Sequence, residues 1–161
     1  MIITDFLAIA KTAPTELKRQ DLNGIINSIA PLLLADTLKR GMNLEFKLSR
    51  DIPQLILAEK EIKQLLLNLA MNGLNAMKQH GKLTIETRYH DGSVFLCIDD
   101  SGCGIAKDLQ MKIFDPFFTT RDEGTGLGLS VCASIVAGHN AKIEVFSEEG
   151  KGARFIITFR V

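Results

Sequence analysis

Gln64, Asn68, Asn72 and Asn75 recur at steps of four, four and three, which places four amide side chains on one stripe of a helix. Asparagine is a poor helix former, and a merely solvated stripe has no reason to prefer it over Glu or Lys. Amide oxygens are hard ligands suited to Mg²⁺, an ion that commonly reaches a protein through one or two side chains plus nucleotide phosphates. The stripe therefore offers a divalent-cation site, with a plain solvated face as the alternative.

Farther along, Asp100-Ser101-Gly102-Cys103-Gly104 closes a strand-like run. An aspartate can accept a hydrogen bond from an exocyclic amine, and glycines let backbone approach a ligand closely. Alone, this pattern is a common turn. Phe114-Asp115-Pro116-Phe117-Phe118-Thr119-Thr120-Arg121 sets three aromatic rings in a loop, as anchors of a closing segment or as a loop pinned to the core. Gly124-Thr125-Gly126-Leu127-Gly128-Leu129 then runs directly into a helical segment, where backbone N–H groups form a ready phosphate cradle. It is not a P-loop, since no G-x-x-x-x-G-K-[ST] occurs, and its spacing is not that of a dinucleotide fingerprint.

The elements that must position these residues follow from periodicity. Asp21 reads as the N-cap of a helix through Ile25, Ile26, Ile29 and Leu32–Leu34. Residues 43–49 alternate as a half-buried strand, and Leu55–Ala58 reads as a small one. The amide stripe rides a helix from Glu59 to about Lys78, stopped at His80-Gly81, with Leu65, Leu66, Leu69, Gly73 and Ala76 toward the core. Strands at 82–89 and 93–99 meet at His90-Asp91-Gly92. Residues 99–128 form a long glycine-rich connection, a type usually kept for function. A helix at 130–138 and a hairpin of 141–146 with 153–161 complete an α+β two-layer sandwich.

The 161 residues suffice for one domain and a short extension. Lys plus Arg equals Asp plus Glu at 19 each, so no global field points to nucleic acid. The three cysteines show no C-x-x-C pair, which predicts a reducing cytoplasm rather than disulfides or zinc. No run approaches the roughly 18 apolar residues of a membrane span. Residues 2–10 carry a helical apolar pattern ended by Pro14, and they read as a helix severed from a longer partner.

Together and in this order, N-L-A-M-N-G-L-N-A-M (68–77), D-S-G-C-G (100–104), F-D-P-F-F-T-T-R (114–121) and G-T-G-L-G-L (124–129) resemble the N box, first glycine box, F box and second glycine box of the ATP-binding domain of bacterial sensor histidine kinases. The resemblance covers roughly residues 21–161. Residues 1–20 look like the end of a dimerisation helix and a linker. It implies the Bergerat fold, a mixed, mostly antiparallel sheet packed on one face by helices, with a flexible ATP lid. By motif position, Asn72 would hold Mg²⁺ and Asp100 the adenine amine, while Asn68 would lie near the phosphates in a catalytic role. Gly102 and Gly104 would hinge the lid over residues 105–123. Thr125, Gly126, Leu127 and Gly128 would contact phosphate, and Arg121 would be the catalytic partner of the terminal phosphate.

The implied partners are a histidine-bearing dimerisation domain of the same parent kinase and a downstream response regulator, with no nucleic acid; the implied parent is a cytoplasmic homodimer, with or without a membrane anchor. Gly73 departs from the family's usual alanine, and Asn75 stands where many relatives carry a charge. His80, His90 and His139 lack a phosphoacceptor context, so the chain reads as a kinase fragment. Hydrolytic relatives carry a water-activating glutamate where this chain has Asn68, which cannot serve as a base at neutral pH. An anti-sigma-type serine kinase and a non-catalytic ATP-binding module are the remaining alternatives.

Overall fold

The computed structural model describes residues 16–118 and 128–161. The stub at 1–15 lies outside them, as does 119–127. A short strand β1 (Lys18–Gln20) leads into helix α1 (Leu22–Lys39). The Asp21 carboxylate accepts from the Asn23 N–H at 3.1 Å, satisfying one donor of the first turn. Leu22, Ile25, Ile26, Ile29 and Leu33 recur on the buried face of α1. Strands β2 (Asn43–Leu48) and β3 (Leu55–Leu57) follow, then helix α2 (Glu59–Ala76). Leu65, Leu66, Leu69 and Leu74 of α2 are essentially fully buried, each contributing about 1.5–3 kcal/mol of transfer free energy.

Strands β4 (Lys82–His90) and β5 (Ser93–Asp100) form a hairpin whose turn residues Asp91 and Gly92 both have positive φ. That handedness matches the twist of the strands it joins. Helix α3 (Gly128–Gly138) and the hairpin of β6 (Lys142–Ser147) and β7 (Ala153–Arg160) complete the fold. The main sheet has the order β2-β4-β5-β7-β6, with β2 parallel to β4 and the other pairs antiparallel. Leu83, Ile85, Leu96, Ile98, Phe155 and Ile157 line its buried face under the helices. Arg154 and Arg88 make two-pronged contacts with Asp99 and Glu86 at the other face. Helix α2 is central, packing on both α1 and α3. The expected two-layer α+β architecture is the one observed.

Two local features differ from the sequence expectation. The small strand β1, made of Lys-Arg-Gln, pairs antiparallel with β3, in a stretch that reads as linker. Helix α2 ends at Ala76, not near Lys78. Met77 is extended there, the Cys103 N–H takes the Ala76 carbonyl at 3.1 Å, and the Met77 sulfur lies 3.3 Å from the Ser101 N–H. The glycine segment thus completes the helix end in place of a further turn.

His139 is wholly structural. Its Nε2 accepts from the Ala58 N–H at 3.0 Å, and its Nδ1 donates to the Ile135 carbonyl at 2.7 Å. Nε2 ties the end of α3 to the start of α2, while Nδ1 is held by the last turn of α3 itself. No helix among the described residues is long and apolar enough to cross a membrane.

Candidate functional site

The amide stripe of α2 is half-buried at Gln64, Asn68 and Asn72 and exposed at Asn75, opposite the leucines of the core. Asn68 Nδ2 donates to the carbonyl of Gly128 at 3.3 Å, the first residue of α3. The Asn68 side chain also meets the Cys132 thiol, whose pKa burial pushes up to about 12. Asn68 therefore fixes the start of α3 against α2. Among the described residues, no atom outside its own helix and chain neighbours lies within 4 Å of where a Cβ on Gly128 would stand. At the other end of the stripe, Asn75 Oδ1 accepts from Arg40 Nη1 at 2.8 Å, and Arg40 Nε meets Asp36 Oδ2 at 3.0 Å.

Asp100 ends β5 on the buried side of the sheet, in register between Leu83 and Ala153. Burial raises its carboxyl pKa; the N–H groups of Gly102 and Ala153 oppose that, and the neighbouring Asp99 adds to it. Gly102 N–H meets Asp100 Oδ1 at 2.9 Å. The glycines around it are places where backbone meets backbone. A Cβ on Gly102 would stand 2.6 Å from the Ala76 carbonyl oxygen. On Gly104, whose φ is +73°, it would overlap the Glu148 carbonyl oxygen. On Gly152, with φ +84°, it would overlap the carbonyl oxygen of Asp100 itself. The Gly150 N–H bonds the Cys103 carbonyl at 2.7 Å. The first glycine box is thus threaded between the end of α2 and the β6–β7 turn.

Gly73 lies over Asp100. A Cβ there would stand 3.1 Å from Asp100 Cβ and 2.9 Å from a buried Leu83 methyl. Helix propensity favours alanine over glycine by about 1 kcal/mol, but these contacts require Leu83 and Asp100 to give way. Gly73→Ala is therefore expected to gain no net stability and to weaken ligand binding at Asp100 about threefold. Thermal unfolding and nucleotide titration check both; a stabler variant with unchanged binding would show that the contact relaxes freely.

The segment after the glycine box is anchored through residue 118. Ser147 Oγ accepts from the Ile105 N–H at 2.8 Å and donates to the Gly152 carbonyl at 2.7 Å. Gln110 Nε2 donates to the carbonyls of Ile105 and Ser147 at 3.0 and 2.9 Å. Ile113 is buried, Phe118 packs on the core, and Phe114 meets Phe155 edge-on with centroids 6.4 Å apart. Phe117 is 65% exposed at φ +66°. Two of the three rings are pinned and one faces outward. Arg121, Thr125, Gly126 and Leu127 lie outside the described residues.

Asn68 meets Gly128 at the start of α3, Asp100 and Gly102 lie at the end of β5 against Gly73 and Ala76 of α2, Asn72 stands one turn from Asn68 on the same helix, and Gly104 packs on Glu148. Sequence reasoning missed Gly152, Ser147, Gln110 and Arg40. The Gly150-Lys151-Gly152 run was the available signal for the first, and it read only as a hairpin turn.

An asparagine-bearing helix, a helix start held beside it and a half-buried aspartate at a glycine-lined strand end are features that suit a nucleotide-binding module on an α+β sandwich. Residues 58–161, more than half of the chain, match the family described as histidine kinase-, DNA gyrase B-, and HSP90-like ATPase, and the chain belongs to that family. It is 38% identical over 156 residues to sensor histidine kinase ZraS of Escherichia coli O157:H7, covering 97% of this chain and 34% of that protein. The chain thus spans about a third of that relative. The nucleotide-free catalytic domain of histidine kinase ThkA superposes with TM-score 0.81 at 32% identity, over 90% of this chain and 95% of that one. ThkA in complex with the response regulator TrrA superposes at 0.84 with 28% identity, over 99% and 46%. Full-length ShkA in complex with AMPPNP gives 0.88 at 26% identity, over 98% and 35%. The relatives it resembles are sensor histidine kinases, and the ThkA domain that it matches over nearly the whole of that chain is a histidine kinase catalytic domain.

Proposed function

We propose that this domain binds Mg-ATP and presents the γ-phosphate to a histidine on a separate dimerisation domain of the same parent kinase. The observation that carries the reading is the alignment of Asn68, Asn72 and Asp100 around the junction of α2, α3 and the first glycine box. The donor set suits the ligand: neutral amides and a helix start at one end, a half-buried carboxylate at the other. Asp100 would accept from the adenine amine, with Gly102 packing the glycine box against the Ala76 carbonyl beside it. Asn68 would hold the start of α3 toward the phosphates, joined by Thr125, Gly126, Leu127 and Gly128, with Arg121 on the terminal phosphate. Asn72 would hold Mg²⁺, which neutralises phosphate charge when bound. Transfer of this kind is mostly positioning and charge neutralisation, so no side chain here need be covalently modified. The acceptor histidine would be the nucleophile. Both nitrogens of His139 are already engaged, which fits an acceptor outside this domain.

The same reading carries a response regulator as the next phosphate acceptor, a homodimeric parent and a cytoplasmic site of action. Three free cysteines suit that reducing compartment.

The test mixes this chain, γ-labelled ATP and a separately expressed dimerisation domain. Acid-labile label is expected on the histidine domain, with none on this chain. Asn72→Ala, an alanine at a helix position, is expected to stay folded and lose on the order of a hundredfold in transfer. Label retained on this chain, or full transfer by the variant, would refute the assignment.

A further inference from the structure

The amide stripe carries no charge of its own, yet the ligand proposed for it carries several negative charges. The structure joins one guanidinium to it. We infer that Arg40 is a cation of the nucleotide site, held on the phosphate chain by Asn75; this rests on the ATP-binding reading above.

Arg40 caps the C-terminus of α1, a different helix from the one that bears the asparagines. Its side chain nevertheless crosses to α2 and meets Asn75 Oδ1 at 2.8 Å, three residues past Asn72. On a helix that spacing puts Asn75 beside Asn72 on the same face. Asp36 holds the guanidinium from below, through Nε at 3.0 Å. A guanidinium has five N–H donors in a fixed fork. Asp36 and Asn75 take one each, and the side chain remains 30% exposed. The remaining donors are what a phosphate oxygen requires, and the fork is already oriented before the ligand arrives. An amide at position 75 serves this purpose because its oxygen accepts from Arg40. A cation there would repel it.

The plain alternative is a tie between the C-terminal ends of α1 and α2, with no ligand contact. The two differ in which part of the nucleotide feels the loss. A broken tie disturbs the end of α2 and the Gly102 contact at Ala76, and so affects the base. A lost phosphate cation affects only ligands that carry phosphate.

The experiment titrates this chain and its variants with Mg-ATP, Mg-ADP and adenosine. Arg40→Gln is expected to weaken Mg-ATP and Mg-ADP about tenfold while adenosine changes less than about twofold. Arg40→Lys keeps the charge but not the fork and is expected to lose only about threefold. In the double variant Arg40→Gln/Asn75→Lys the cation moves across the former 2.8 Å contact, and Mg-ATP affinity should return to within about threefold of the parent. Adenosine binding serves as the folding control in every case. Equal loss for adenosine and Mg-ATP, unchanged Mg-ATP affinity in Arg40→Gln, or no recovery in the double variant would each overturn the assignment. Failure of the underlying reading shows instead in the parent chain, as absence of nucleotide binding.

Discussion

Gly152→Ala is expected to destabilise the domain by about 3–5 kcal/mol, a large share of the roughly 5–15 kcal/mol that holds a domain of this size together. Two costs add. The residue has φ +84°, where an L side chain costs about 1–2 kcal/mol. Its Cβ would also overlap the Asp100 carbonyl oxygen and stand 2.9 Å from the Asp100 carbonyl carbon. Both partners are backbone, and Asp100 pairs with Ala153 in the sheet, so no side-chain rotation relieves the overlap. Gly150 separates the two costs, because its φ is +81° but nothing among the described residues lies within 4 Å of its Cβ position. Gly150→Ala should therefore lose only the conformational part, about 1–2 kcal/mol. Urea unfolding of the pair provides the check. Equal losses in the two variants would mean that the close approach at Asp100 carries no energy.

Residues whose role is set by their own helix or strand were legible in the sequence. The alternation of Asn43–Leu48, the leucines of α2 and the Asp21 cap each follow from local periodicity and chemistry. Asn68, Asn72, Asp100 and the first glycine box could be placed because their spacing states which face or end they occupy. The rest depended on contacts remote in sequence. Lys18–Gln20 has no apolar alternation and becomes a strand only because β3 offers it an edge. The end of α2 is decided by Cys103, 27 positions beyond Ala76. Gly152 reads as a turn glycine until β5 is brought alongside it. Asn75 fits the amide stripe by spacing, but its partner Arg40 comes from the C-terminal end of a neighbouring helix. Periodicity gives the face on which a side chain lies, not what the fold brings to meet it.

The largest effect on recognition is expected at Asp100. In Asp100→Asn, Oδ1 can keep its 2.9 Å bond from the Gly102 N–H, so the amide nitrogen replaces the second carboxylate oxygen, the one on the Gly73 side. A donor would then face the adenine amine, and two donors repel. A site built to hydrogen-bond one partner loses far more on such an exchange than an apolar pocket does. The parent chain should prefer ATP to GTP strongly, and the variant should lose on the order of a hundredfold in ATP affinity along with most of that preference. Stability should move the other way. Burial raises the Asp100 pKa, so the group's stabilising contribution is full below its unfolded value and is lost as pH rises through the folded value. At neutral pH the ionised carboxylate is a cost to the empty domain, and the asparagine variant removes it. Asp100→Asn should therefore be at least as stable as the parent at pH 7 while binding far less ATP, the trade expected of a group kept for recognition. The same raised pKa means that ATP affinity in the parent falls, on acidification, at a higher pH than an ordinary aspartate would give, and that the variant lacks this step. Titrations with ATP and GTP from neutral to acidic pH, paired with urea unfolding, measure all of these. Equal affinity of the parent for the two nucleotides, or an unchanged preference in the variant, would remove Asp100 from the base-reading role.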